Sequence, residues 1–196
     1  DAYKVLKEPS SLFSSAFLGE APLFKLPITF FSIFLEPFIA GRVVALLYTL
    51  AAVILFYYLS FELSKDKLLA LIAAFLFAIN PIAWQVDIRI LTDIPITTMF
   101  LLSMFLLVKH EKTTEEKKKL FWATATGLSI IAAMLTKQQG LLLFFIALFY
   151  LLVTRKQAIL KDKSSLVILA IPFAFLVLGG ILLKVMFDYN FLGIFI

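Results

Sequence analysis

Cysteine is absent from the 196 residues. That excludes a disulfide framework, a thiolate metal site and a cysteine nucleophile. Histidine occurs once, at His110, so a zinc site of the usual Cys/His kind is not expected. No glycine-rich phosphate loop, dinucleotide fingerprint, nucleophile elbow or H-E-x-x-H pair is present. The initiator Met is also missing, as is the basic, apolar and small-residue succession of a secretory leader. The chain ends within an apolar stretch, 191–196, and the expectation is a piece of a longer protein.

What is present is apolar. Hydrophobic residues make up 62% of the chain, Phe alone occurs 22 times, and the mean hydropathy is +1.02. Soluble domains hold roughly 45–50% apolar residues. So short a chain cannot bury this excess in a water-soluble core, whereas a bilayer accommodates it. The expected fold class is an all-α integral membrane protein, a multi-pass helical bundle with interfacial juxtamembrane helices.

Residues 1–40 read as an external loop with short helices on the membrane surface. Pro22, Pro27 and Pro37 break up the apolar stretch 22–40. Its uninterrupted part, 28–35, is too short to span a bilayer and reads as interfacial or re-entrant, since a span needs about 20 residues. Residues 41–196 then predict six spans, at about 42–62, 67–84, 93–108, 119–136, 140–154 and 165–187. The short connections force neighbouring spans to run antiparallel.

That alternation sorts the charges. One face collects eleven of the eighteen Lys and Arg against six acids, from the stretches 62–67, 109–119 and 155–163, and carries +5. The other face has seven of each sign and is neutral. The positive-inside rule assigns the first face to the cytoplasm. The run H-E-K-T-T-E-E-K-K-K at 110–119 reads as a solvated loop on that face. Charge placed to orient spans in this way speaks for a membrane and against nucleic acid.

The outer face gathers Asp1, Glu20, Lys25, Arg42, Asp87, Arg89, Asp93 and Lys137 next to apolar spans. The segment D-I-R-I-L-T-D at 87–93 places three charges among seven residues between two long apolar runs. Such charges are costly unless they lie at a water interface or in a site that uses them. Asp93 precedes Ile94-Pro95, a helix-start pattern, so its ordinary role is an N-cap and its functional role a carboxylate held at the membrane surface. Lys137 ends one span just before Gly140 starts the next. Its ordinary role is a snorkelling lysine. The six-residue separation of Asp87 and Asp93 is no metal signature by itself.

Five short signatures in order resemble the GT-C membrane glycosyltransferases of the dolichyl-phosphate-mannose–protein mannosyltransferase and aminoarabinose transferase type. Asp1-Ala2-Tyr3 resembles the end of an acidic external-loop motif, with Ala2 where a second acid would stand. Lys25-Leu26-Pro27-Ile28 resembles Lys-Pro-Pro-Leu, with Leu26 replacing the first Pro. Gly41-Arg42-Val43-Val44-Ala45-Leu46 resembles the opening of the next span. Asn80-Pro81, Arg89 and Thr92-Asp93 resemble a Pro…Arg…Thr-x-Asp stretch. Gly127-Leu128 and Thr136-Lys137-Gln138-Gln139-Gly140 resemble Gly-Leu…Thr-Lys-x-x-Gly.

The resemblance implies a GT-C bundle that moves a sugar from a polyprenyl-phosphate carrier to a protein, lipid or glycan acceptor. Transfer would occur at the extracytoplasmic face of the cell membrane, by a single inverting displacement. It implies Asp1 and Asp93 as catalytic candidates, Asp1 first. Lys25, Arg42, Arg89 and Lys137 would hold the donor phosphate, and Glu20 would contribute to donor binding. No metal or other cofactor is called for. A transporter or flippase fragment for an amphipathic lipid, or a structural membrane subunit, would also place charges at an interface. Convergence of Asp1, Lys25, Arg42, Asp93 and Lys137 on one outer-facing cavity is what separates an enzyme from these.

Overall fold

The computed structural model describes residues 22–80, 92–155 and 162–187, with side chains to residue 181. Among the described residues every regular element is helical. In chain order these are α1 (Pro22–Phe31), α2 (Pro37–Ser64), α3 (Lys67–Ala78), α4 (Asp93–Lys112), α5 (Glu116–Thr136), a 3₁₀ turn (Gln138–Gly140), α6 (Leu141–Arg155) and α7 (Lys163–Phe187). Five helical segments are long and apolar enough to cross a bilayer: Pro37–Ser64, Asp93–Lys112, Glu116–Thr136, Gln138–Arg155 and Lys163–Ile181. The protein is an all-α, multi-pass membrane protein. The expected span at 67–84 is described as far as residue 80. Its helix, α3, has 12 residues and so a length of about 18 Å.

Proline placement explains the first two helices. Pro37 sits at the start of α2, where its missing N–H is one of the orphan donors anyway. The helix therefore runs over 37–64 and contains the expected span 42–62. Pro27 departs from the sequence expectation: α1 runs straight through it. A proline at 27 deprives the Leu23 carbonyl of its helical donor. That carbonyl accepts instead from the Tyr48 hydroxyl of α2, at 3.5 Å, and Phe24 packs edge-on against the Tyr48 ring. Tertiary contact thus carries the helix across the break: residues 28–31 belong to α1, and 32–35 form the turn before α2.

The turn from α2 to α3 is two residues long. Lys65 takes the left-handed conformation at φ 60° and donates its N–H to the Phe61 carbonyl. Asp66 then caps α3, accepting from the backbone N–H of Leu68 at 2.8 Å and of Leu69 at 3.2 Å. The two helices pack back to back.

Packing follows the logic of helices in lipid. The seams are lined by small residues, Ala40, Ala45, Ala52, Ala70, Ala74, Ala123, Ala133 and Ala147, which let backbones approach. Many large apolar side chains, such as Phe34, Leu46, Phe75, Phe149 and Leu178, face outward. A compact cluster around Ile130, Met134, Leu143, Leu151 and Ile168 joins α5, α6 and α7. Hydroxyls tie the helices across the apolar interior. Thr98 on α4 donates to the Tyr48 carbonyl of α2 at 3.0 Å, sharing the bond with Ile94 of its own helix. The Ser103 and Ser129 hydroxyls meet at 2.9 Å between α4 and α5.

The two ends of this bundle differ in charge. At one end Glu62 meets Lys65, Lys109 and Lys112. Glu111 meets Arg155, and Asp162 meets Lys119 and Arg155. The run 110–119 is therefore mostly helical and ion-paired, with only 113–115 linking α4 to α5. His110 is fully buried there, its Nε2 2.9 Å from the Ser164 hydroxyl. The Ser164 hydroxyl donates to Asp162, and His110 Nδ1 lies 3.2 Å from Glu111 Oε1. The opposite end of the bundle holds the start of α4 and the close of α5.

Candidate active site at the neutral end

Thr92 and Asp93 begin α4, as the Ile-Pro that follows them predicts. Asp93 is the first helical residue, and no side chain caps the helix. Pro95 falls in the first turn, where no intrahelical N–H bond is lost. The carboxylate of Asp93 does not serve as an N-cap. It reaches across to Lys137, Nζ to Oδ1, at 2.5 Å. The positive end of the helix dipole also favours a carboxylate at this position.

Lys137 is placed by the way α5 stops. Its backbone is extended, at φ −161° and ψ 150°, which ends the helix after Thr136. Its N–H still bonds the Ala133 carbonyl at 3.0 Å, and its own carbonyl accepts from Gly140 N–H at 2.8 Å. The turn folds so tightly onto α5 that a Cβ at Gly140 would lie 2.2 Å from the Ala133 carbonyl carbon and oxygen. Only glycine fits, and this gives the Thr-Lys-x-x-Gly pattern a physical meaning. The glycine lets the turn pack against the helix, and the turn aims the lysine.

Asp93, Ile96, Thr97, Phe100, Lys137 and Gln139 line an open cavity of about 380 Å³. Its mouth is charged and its wall apolar and aromatic, which suits an amphipathic ligand with an anionic head. Thr97 donates to the Asp93 carbonyl at 2.8 Å, leaving its oxygen able to accept from a ligand. Side-chain exposure is 28% for Lys137 and 48% for Asp93. So open an ion pair contributes at most about 1 kcal/mol to stability. Opening it is correspondingly cheap, and both groups can be recruited by a ligand.

The sequence model of the dolichyl-phosphate-mannose-protein mannosyltransferase family matches residues 13–194. The chain belongs to this family. No curated protein and no solved structure gives a significant match. A mannosyltransferase family assignment makes the protein a membrane glycosyltransferase. Within the matched segment lie Glu20, Lys25, Arg42, Arg89, Asp93 and Lys137; Asp1 precedes it.

The remaining candidate site residues separate as follows. Lys25 lies on α1, which packs against α2 and α5; its carbonyl accepts from Thr29 at 3.0 Å. Arg42 is exposed, its guanidinium 4.4 Å above the Phe38 ring, and it forms no ion pair with a described carboxylate. Asp1, Glu20, Asp87 and Arg89 lie outside the described residues. The structure therefore joins two of the candidates, Asp93 and Lys137. Thr97 and Phe100 were not singled out from the sequence, and Gln139 was named there only within its motif, yet signals existed. Thr97 lies four residues after Asp93 and so on the same helix face, and Gln139 belongs to the turn that carries Lys137. Among the described residues no group of three His, Asp or Glu side chains is arranged to hold a metal ion.

Proposed function

We propose that this protein transfers a sugar from a polyprenyl-phosphate carrier to an acceptor hydroxyl at the extracytoplasmic face of the cell membrane. The observation that carries this reading is the Asp93–Lys137 pair. It lines a cavity at the end of the bundle opposite the lysine-rich end, inside the segment matched to the family. The cation excess at the other end supports a cytoplasmic assignment for that end, which puts the pair outside. Mannose is the donor sugar that the family description suggests, and a protein hydroxyl the acceptor.

In this reading the isoprenoid tail of the donor lies in the bilayer beside α4 and brings the phosphate to the cavity mouth. Lys137 turns from Asp93 to the phosphate and neutralises charge that builds as the phosphate leaves. Lys25, Arg42 and Arg89 belong to the same cationic set and Glu20 to the donor-sugar contacts. Release of Lys137 frees the Asp93 carboxylate. Asp1, or Asp93, takes the proton of the acceptor hydroxyl as general base. The hydroxyl oxygen attacks the anomeric carbon from the face opposite the phosphate. The glycosidic bond to phosphate breaks as the new one forms, and the configuration inverts.

The test is transfer from dolichyl-phosphate-mannose to a Ser/Thr peptide by the full-length protein in proteoliposomes. Lys137→Met is expected to raise the donor KM and to lower kcat. Asp93→Asn is expected to lower kcat/KM by about 100-fold, the lower range for a lost general base. Folded variants that transfer at the parent rate would remove both residues from the site.

A further inference from the structure

We propose that the cluster of Lys65, Lys109 and Lys112 around Glu62 is a binding site for the headgroup of an anionic phospholipid, at the end of the bundle remote from Asp93. Three ammonium groups converge there on one carboxylate. Lys65 Nζ lies 2.7 Å and Lys112 Nζ 3.5 Å from Glu62 Oε2, while Lys109 bonds Oε1 and Lys112 also bonds the Glu62 carbonyl. They come from the end of α2, its left-handed cap and the last turn of α4. Glu62 is inside the cluster, 11% exposed, whereas the lysines are 61%, 32% and 40% exposed at 65, 109 and 112. The nearby Asp66 caps α3, accepting from the Leu68 and Leu69 N–H groups, rather than ion-pairing with these lysines.

One carboxylate neutralises one of three cations, so the cluster keeps an outward-facing positive excess. Each ammonium has three donors, and those not turned to Glu62 face away from it. A phosphate diester is a fitting second anion, since a point charge on a flexible stem adapts to its oxygens. The surroundings select a lipid over a soluble anion. Leu63, Leu68 and Leu69 are exposed beside the cluster. The rings of Phe61 and Phe105 lie 5.9 Å and 5.6 Å from the ammonium groups of Lys65 and Lys109. Cations above an apolar belt meet a headgroup and its acyl chains together. Because the cluster is far from Asp93, this reading stands or falls independently of the glycosyl-transfer site.

The experiment is native mass spectrometry of the full-length protein released from nanodiscs of mixed phosphatidylglycerol and phosphatidylcholine. The readout is the fraction retaining phosphatidylglycerol. Replacing Lys65, Lys109 and Lys112 by Gln is expected to cut retention by about fivefold per lysine removed. Lys117→Gln/Lys118→Gln, which removes exposed charge from the neighbouring segment, is expected to leave it unchanged. Glu62→Gln removes the internal competitor and is expected to raise retention. Equal losses in the control and the cluster variants, or a fall with Glu62→Gln, would overturn the site. So would broadening of the inorganic-phosphate line in phosphorus NMR, with the protein in pure phosphatidylcholine nanodiscs, if the cluster variant abolished it. That outcome would identify a free-phosphate site.

Discussion

Gly140→Ala is the sharpest probe of how the candidate site around Lys137 is built. The new Cβ would lie 2.2 Å from the carbonyl carbon and oxygen of Ala133 and 2.4 Å from the Met134 nitrogen. All three obstacles are main-chain atoms in the last turns of α5, so no rotamer change makes room. The turn has to move out by roughly 1 Å, which overpacking data place at about 1–3 kcal/mol. Lys137, three residues earlier, moves with it and loses its 2.5 Å contact with Asp93. A displacement of about 1 Å in a reacting site can cost about 100-fold in rate. The assay pairs thermal unfolding in detergent with mannosyl transfer, and both Tm and kcat/KM are expected to fall. Gly179→Ala is the matched control. Its Cβ would make ordinary contact with the Phe175 ring at 3.9 Å, and the protein is expected to gain up to about 1 kcal/mol from helix propensity. If Gly140→Ala and Gly179→Ala behave alike, the close approach of the turn to α5 is refuted as the device that holds Lys137.

Two further predictions concern the rest of the bundle. Asp162 caps α7, accepting from the Ser164 N–H at 3.1 Å. Burial opposes its ionisation, but hydrogen bonds from Ser164, Ser165 and Lys119 outweigh this and hold the carboxyl well below its usual value of 3.8. A depressed folded value means that the stabilisation is full above pH 3.8 and fades as pH falls below it. Asp162→Ala should therefore lower stability by about 1 kcal/mol at neutral pH, with the gap to the parent closing in strong acid, as read from unfolding midpoints across pH. Between α4 and α5, a double-mutant cycle on Ser103 and Ser129 should return a coupling of about 0.6 kcal/mol, the average for such bonds in membranes. No measurable coupling would mean that the two hydroxyls do not bond.

The sequence carried the helical class and the charge asymmetry because both depend on local composition. The lysines at 65, 109, 112 and 119 do gather at one end, and Asp93 and Lys137 lie at the other. What composition could not carry was the meeting of Asp93 with Lys137. They are 44 positions apart, and nothing in their spacing states that two antiparallel helices bring them together; only the order of family-like motifs suggested one site. Pro27 illustrates the converse failure. Local rules end a helix there, yet Tyr48, 21 positions later, supplies the donor that proline lacks, so tertiary contact overrules propensity. The run 110–119 misled in the same way: its charge resembles a solvated loop, but partners on α2 and α7 and at the end of α6 let the helices continue into it.

The alanine seams and outward-facing phenylalanines invert the usual rule for redesign. In a soluble domain the large apolar side chains are mostly inside, and trimming one leaves a cavity. Here Ala52 and Ala70 are fully buried, so enlarging either would force two helices apart. Phe75 and Leu76 on the short helix α3 are 60% and 58% exposed. They are the places to introduce polar residues when preparing a less lipid-dependent form of the bundle.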